Sequence, residues 1–312
     1  RRCPAMNVES AAGTTIAAGT LRIGNGGLSG TLASDIVNHA ALAFNRAGTL
    51  TIAGQISGTG SVNQIGSGTT VLTAGNSYSG GTTITAGILQ VGDGGASGSI
   101  TGNVANNATL AFNRSDDVTF AGLISGTGAL RQLGAGTLTL TTDNSYTGGT
   151  TISAGRLQLG AGGNSGGILG DVVNNGALIF NRADAVTFAG LISGSGGIER
   201  AGGGLTVLSG SNSYAGATEV ECVDASCDIR PIDDEPLRQF PIQKLEDIVG
   251  VDRPIGEVGS GNQHRVPAET PPLHDLVEQR TGHRVLLKHP QDQQRRRPVA
   301  DRAPSCGRPQ HH

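Results

Sequence analysis

A period of 68 residues runs through the first two-thirds of the sequence. The segment GTTIAAG at 13–19 returns as GTTITAG at 81–87 and as GTTISAG at 149–155. Segments reading Phe-Asn-Arg, ISGTG and Asn-Ser-Tyr recur at the same interval, without insertion or deletion between residue 11 and about residue 218. A fixed period is typical of repeat proteins, in which each unit buries its apolar face against its neighbours. The period therefore predicts a solenoid.

Each repeat consists of short segments with the composition of β-strands. In the second unit, 66–133, the apolar runs are four to six residues long, rich in Thr, Val, Ile, Leu and Phe, and bounded by turn formers. Glycine fills about one position in five, and each glycine inside a helix would cost about 1 kcal/mol. The pattern predicts an all-β fold. The lack of hairpin dipeptides between the runs favours a right-handed parallel β-helix over an antiparallel meander.

The length of the repeat leads to a prediction of how the chain winds. A β-helical coil takes roughly 20–25 residues, so one repeat should hold three coils and return every GTT-I-x-AG segment to an equivalent face. At a strand spacing of ~4.8 Å, nine or ten coils would make a rod on the order of 45 Å long. The aliphatic residues expected to point inward in the second unit are Val71, Ile84, Leu89 and Leu110.

Three kinds of polar or amphipathic residue recur with the period. The asparagines are predicted to lie at turns or coil corners, bonded to the backbone; they are Asn45, Asn113, Asn181, Asn76, Asn144 and Asn212. The tyrosines are expected on the stem surface or half-buried, and too far apart to stack; they are Tyr78, Tyr146 and Tyr214. The arginines after each Phe-Asn are expected to face water, with a sugar or phosphate contact as the alternative; they are Arg46, Arg114 and Arg182.

The sequence offers no constellation typical of catalysis or metal binding. Asp116 and Asp117 are the only adjacent acidic pair in the repeats, whereas polysaccharide-cleaving β-helices need carboxylates clustered on neighbouring coils. Cys222 and Cys227 lack a second pair at zinc-ligand spacing. We therefore predict no catalytic, cofactor-binding or metal-binding residues and no cofactor. The net charge of −3, with no basic patch in the repeats, predicts no nucleic-acid partner.

The repeat closely resembles the autotransporter-associated β-strand repeat of bacterial type V secretion passengers. That pattern runs roughly G-x-G-T-L-x-L-x-G-x-N-x-Y-x-G-G-T-T-I-x-x-G-x-L-x-x-G. The chain reads GAGTLTLTTDNSYTGGTTISAGRLQLG at 134–160 and GSGTTVLTAGNSYSGGTTITAGILQVG at 66–92. The resemblance implies a right-handed β-helix that is secreted and displayed on the cell surface. It also implies a parent protein with an export signal and an outer-membrane β-barrel anchor, neither of which this sequence shows.

The sequence divides into three predicted parts: a non-repeat leader at 1–10, the β-helix at 11–218, and a non-repeat tail at 219–312. The tail holds eleven of the twelve prolines, six of the seven histidines and both lysines. The opening half of a fourth copy of the repeat stands at 202–218, and this copy fails midway, because 217–223 reads ATEVECV where GTTISAG is expected. Two interpretations stay open for the tail: an out-of-frame translation, or a divergent and disordered segment. In either case the break predicts an unpaired strand edge near residue 219.

Taken together, these features predict a structural stalk segment of a secreted, cell-surface passenger that contributes to adhesion. Its expected partners are host-surface or extracellular-matrix molecules, or further copies of itself. Two alternatives compete with this prediction: a β-helical polysaccharide lyase or hydrolase, and a gene fragment without a function of its own.

Overall fold

The computed structural model describes residues 13–221, 230–231 and 285–288. Within them the protein is a parallel β-solenoid of about ten coils and contains no helix. The wall of the solenoid has three faces, and the chain visits them in a fixed order, which we call first, second and third. Each residue of the wall pairs with a residue about 20 positions further along the chain, so a coil takes about 20 residues. The predicted all-β, parallel solenoid is confirmed.

The first and second faces each consist of two runs of strands. The first face holds β1 (Thr14–Ile16), β3 (Ile36–Asn38) and β6 (Ile56–Ser57), and then β13 (Val118–Phe120), β16 (Thr137–Leu140), β18 (Arg156–Leu159), β20 (Ala177–Phe180), β23 (Gly197–Arg200), β25 (Thr218–Glu221) and β27 (Val285–Lys288). The second face holds β2 (Thr20–Ile23), β4 (Ala41–Phe44), β7 (Ser61–Gln64), β9 (Thr82–Ile84), β11 (Val104–Asn106) and β14 (Ile124–Ser125), and then β21 (Val186–Phe188), β24 (Thr206–Leu208) and β26 (Arg230–Pro231).

The third face is a single sheet of eight strands. It holds β5 (Leu50–Ile52), β8 (Thr69–Leu72), β10 (Ile88–Val91), β12 (Thr109–Phe112), β15 (Ala129–Gln132), β17 (Thr150–Ile152), β19 (Val172–Asn174) and β22 (Ile192–Ser193).

Two segments of each repeat fill a place in the wall without forming a regular strand. One is the Asn-Ser-Tyr segment: the Asn76 side chain accepts the backbone N–H of Ile56 one coil below. The other follows the glycine-rich loop, where Ser99 bridges to Gly75. These two segments occupy the first face between β6 and β13, and their equivalents around Asn144 and Gly167 occupy the second face between β14 and β21.

One repeat therefore contains ten wall segments, eight strands and two irregular ones, spread over three faces. Ten segments make three coils and one further face, not three whole coils. As a result β1, β9 and β17, which carry the three copies of GTT-I-x-AG, lie on the first, second and third faces respectively. The prediction of three coils per repeat with these segments on equivalent faces is wrong. The physical reason is that the coil takes about 20 residues, a length that does not divide 68.

The interior is a set of apolar ladders. Leu89, Leu110 and Leu130 stack on successive coils of the third face, and all three are fully buried. Phe112 packs against Phe120 with ring centroids 5.8 Å apart. Each buried aliphatic side chain contributes roughly 1.5–3 kcal/mol, which offsets the entropy lost by a glycine-rich backbone.

Of the four residues predicted to point inward, Ile84, Leu89 and Leu110 do so. Val71 does not. It is buried, but it lies in register with Thr51 and Gln90 on the outer side of the third face and is not part of the interior cluster. The inward position of β8 belongs to Thr70, whose hydroxyl donates to the buried Gln64 Oε1 at 2.7 Å.

The C-terminal end of the stack is longer than the repeat. Strand β27 pairs in parallel with β25, with Thr218 opposite Val285, and β26 pairs with β24. The prediction of an unpaired strand edge near residue 219 is therefore wrong. The remaining predictions for the tail fall on residues outside those that the structure describes.

Candidate binding surface

A glycine-rich loop projects from each repeat, at 24–30, 92–98 and 160–166. The tips of these loops are exposed to solvent. Their first and last glycines have positive φ, for example +81° at Gly92 and +104° at Gly98. Residues other than glycine rarely adopt such angles. A Cβ at Gly98 would also lie 2.6 Å from the Leu72 carbonyl oxygen. The glycines thus allow the chain to leave the wall and return to it within a few residues.

An arginine holds each loop against the wall. Arg46 Nη1 donates to the Gly30 carbonyl at 2.7 Å, and Arg182 Nη1 donates to the Gly166 carbonyl at 3.3 Å. Arg114 donates to the carbonyls of Gly98 and Ala96. The side chains of Arg114 and Arg182 are only 12% and 11% exposed. The prediction that these arginines face water is therefore wrong: they close the loops and are largely covered by them.

In the second and third repeats an aspartate two residues further on completes this contact. Arg114 binds both carboxylate oxygens of Asp116, and Arg182 binds both of Asp184 at 2.7–2.8 Å. Hydrogen bonding to the guanidinium, aided by its charge, lowers the pKa of both aspartates below the usual value. In the first repeat the equivalent position is Gly48, and the buried Nε of Arg46 has no partner. Asp117, the other member of the acidic pair, accepts the Thr137 N–H at 2.8 Å.

The asparagines of the Asn-Ser-Tyr segments bond to the backbone, as predicted. Asn144 accepts the N–H of Ile124 one coil below and donates to the carbonyls of Thr142 and Gly167. Its equivalents Asn76 and Asn212 accept in the same way from Ile56 and Ile192. These amides carry the backbone hydrogen bonding of the wall across the segments that form no strand.

Two of the three tyrosines contradict the prediction of a surface or half-buried position. Tyr78 and Tyr146 are fully buried, and each hydroxyl bonds a threonine four residues later at 2.7 Å. Burial raises the pKa of Tyr78 to about 12 and raises that of Tyr146 as well. Tyr214 is partly buried, in agreement with the prediction.

Sequence reasoning missed a buried polar row at 64, 132 and 200. Gln64 and Gln132 each donate from Nε2 to two glycine carbonyls of the following turn. Gln132 Oε1 has no partner, because Leu138 stands where Thr70 serves Gln64. Arg200 takes the third position and donates to Gly203 and Gly204. The signal was present in the sequence: polar residues recur with the period at positions where the strand pattern calls for apolar ones.

Within the described part of the chain, the outer surface carries no cluster of metal-binding side chains. No three His, Cys, Asp or Glu residues there lie close enough to hold a metal ion. A gap beside Gln132 has no room for a water-sized ligand, and it is lined by residues that already hold the loop, including Arg114 and Asp116. No helix among the described residues is long and apolar enough to span a membrane.

Two comparisons with known proteins bear on this geometry. The model of the passenger-associated-transport-repeat matches residues 10–23, 62–91, 130–159 and 198–221. The first three stretches end at β2, β10 and β18, which are equivalent strands of successive copies. The fourth ends at β25, which is the equivalent of β17. The chain is also 40% identical over 168 residues to the Adhesin BmaC autotransporter of Brucella suis biovar 1 (strain 1330).

Both matches are to autotransporter passengers, and they support identifying the chain as a passenger fragment. They indicate a secreted location at the bacterial cell surface. The aligned region spans 47% of this chain but only 5% of the Brucella adhesin. No solved structure matches the passenger segment.

Proposed function

We propose that this passenger segment is a non-catalytic stalk, with residues 11–218 as its structural unit. The observation that supports this most is that the recurring residues make contacts within the solenoid itself. The arginines close loops, the asparagines bridge coils, and two of the three tyrosines lie in the interior. At these positions, the residues that the repeat preserves build the rod.

Adhesion enters the proposal through the stalk. The relative is named as an adhesin, and a rod of about ten coils at ~4.8 Å each would hold an adhesive surface roughly 50 Å from its base. We propose host-surface or matrix molecules, or other copies of the chain, as partners of the parent protein. We assign no catalytic, cofactor or metal residue to the stalk.

The competing enzyme proposal would need acidic residues on neighbouring coils of one face. Several acidic side chains of the repeat are otherwise engaged: Asp116 and Asp184 bind arginines, and Asp171 accepts the N–H of Leu191. These contacts support a structural role for them.

The stalk proposal is tested by displaying the chain on a bacterium between a heterologous anchor and a small binding module. Removing one repeat, residues 82–149, joins Gly81 to Thr150 and recreates the native Gly-Thr seam. We expect the module to keep its affinity for soluble target but to capture less target immobilised on beads, because the rod is shorter by about 16 Å. Unchanged capture on beads would contradict the stalk role.

Adhesion and catalysis are tested on the purified chain. Saturable binding to host cells or matrix proteins that is lost when the exposed loop tips are shortened would show that the stalk itself is adhesive. Cleavage of pectate or polygalacturonate, with or without calcium, would overturn the non-catalytic assignment.

A further inference from the structure

The three copies of the repeat do not face the same way. Thr51 of the first repeat lies on the third face, in β5. Its equivalents Thr119 and Thr187 lie in β13 on the first face and β21 on the second. Every surface feature that recurs with the period is therefore displayed in three directions. The glycine-rich loops of successive repeats lie one face apart around the rod.

The cause is the count of wall segments. A repeat supplies ten segments to a wall of three faces, so each added repeat raises the stack by three coils and one face, about 16 Å. Three repeats supply thirty segments, a whole number of coils, and bring a feature back to its starting face about 48 Å higher.

We infer that the number of repeats sets the direction of whatever the stalk carries, as well as its height. Gaining or losing one repeat turns the distal part of the passenger by one face, and three repeats restore the original direction. For its biological meaning this inference rests on the proposed stalk function, but its geometry does not depend on adhesion.

The junction between repeats allows one repeat to be removed while the strand pairing of the wall is kept. In the intact chain β7 pairs with β9, and Asn63 lies opposite Thr83 on the second face. When 82–149 is removed, β17 follows Gly81 and takes the place of β9, because both strands read Thr-Thr-Ile. Val173 then takes the place of Ala105, which moves it from the third face to the second.

Distances between spin labels test the turn. The four natural cysteines of the full-length chain are first changed to serine. Spin labels are then placed two at a time at outward positions by Thr51→Cys, Asn63→Cys and Val173→Cys, which gives the pairs 51–173 and 63–173. In the intact chain the 51–173 pair lies on one ladder six coils apart, about 29 Å, and the 63–173 pair lies across two faces.

In the one-repeat deletion we expect the two pairs to exchange their arrangements, so that the pair on one ladder becomes the pair across two faces, and the reverse. The 63–173 pair should come to lie on one ladder two coils apart, about 10 Å, and the 51–173 pair should span two faces. The 63–173 distance is then the shorter of the two. If instead the 51–173 pair shortens to about 13 Å and is the shorter pair, the stack has not turned and the inference is wrong.

A deletion of one coil is the matched control. Removing residues 109–128 takes out a single coil, because Thr109 lies opposite Ala129 in the ladder of the third face. The 51–173 pair should shorten by about 5 Å and stay on one face. A change of face in this variant would contradict the assigned register.

The intact chain provides a test that needs no deletion. Labels at Thr51 and Thr119 occupy equivalent positions on different faces, so their separation should clearly exceed the axial rise of about 16 Å. A separation equal to that rise would place both on one face and overturn the inference. None of these distances depends on target binding, so a failure of the stalk function would leave them unchanged.

Discussion

At the scale of single residues, the three copies of the repeat act as natural variants of one another. The loop arginine has a complete partner set in the second and third copies. In the first copy Arg46 Nε is buried and unpaired, since Gly48 replaces the aspartate. A buried donor without a partner lowers stability more than a formed hydrogen bond raises it.

The first prediction is that Gly48→Asp stabilises the first repeat. Gly48 does not have positive φ, and its new Cβ would meet only the tip of Leu28, which is 72% exposed and free to move. We expect a rise in unfolding temperature of roughly 1–3 °C, measured by circular dichroism. Asp116→Gly is the matched control and should lower the unfolding temperature. No rise for Gly48→Asp, with a fall for Asp116→Gly, would show that the first loop is held differently.

The second prediction concerns alkaline pH. A raised pKa means that the folded state keeps the tyrosine proton that the unfolded state loses. The stability that the protonated Tyr78 contributes to the folded state is thus fully present below its unfolded pKa near 10, and it is lost as the pH rises to about 12. Tyr78 alone should account for roughly 2–3 kcal/mol over this window. In denaturant titrations between pH 9 and 12, the free energy of unfolding should fall less steeply with pH in Tyr78→Phe than in the unchanged chain. An equally steep loss in that variant would assign the effect to other groups.

At the scale of elements, the glycine that ends each GTT-I-x-AG segment shows how stacking changes the effect of a substitution. Gly19 and Gly155 have similar positive φ, +72° and +61°. A Cβ at Gly155 would lie 2.4 Å from the Gly134 carbonyl oxygen, whereas at Gly19 it would meet nothing within 4 Å. The difference is the coil beneath: Gly155 packs on one, whereas the described residues include none beneath Gly19.

The third prediction is that Gly155→Ala costs far more stability than Gly19→Ala. The angle alone should cost roughly 1–2 kcal/mol at either site. The clash with the coil below adds roughly 1–3 kcal/mol at Gly155. Gly163→Ala is the neutral control, since its Cβ would be unobstructed and its φ is not positive. Equal losses at Gly19 and Gly155 in urea denaturation would mean that stacking does not determine the requirement for glycine.

The sequence predicts strands and the solenoid well, because both depend on local composition and on the period. It predicts the irregular wall segments poorly. Asn76 and Ser99 take a place in the wall through side-chain and bridge contacts that leave no strand pattern. Dividing the 68-residue repeat by a coil of roughly 20–25 residues gives three coils, and the additional face is missed. The burial of Tyr78 is missed for a related reason, since the bond of its hydroxyl to Thr82 is a contact that the strand pattern does not reveal.

At the scale of the whole molecule, the described residues form an open stack of coils. Each coil contacts only the coils above and below it, so an interior coil is held on two sides and a terminal coil on one. Ladders such as Leu89, Leu110 and Leu130 extend this support through the middle of the stack.

The last prediction is a gradient of protection along the rod. Amide hydrogen exchange should be slowest in the central region, about 66–180, where both neighbouring coils are present and openings require separation of two interfaces. Strands β1 and β2 pair with a later coil on one side only, so their amides should exchange fastest among the strands of the N-terminal coils. The one-coil deletion 109–128 shortens the centre without exposing a new end, and should leave this gradient in place. Uniform protection from residue 13 to residue 221 would mean that the stack opens as a single unit, and that nearest-neighbour support does not govern its stability.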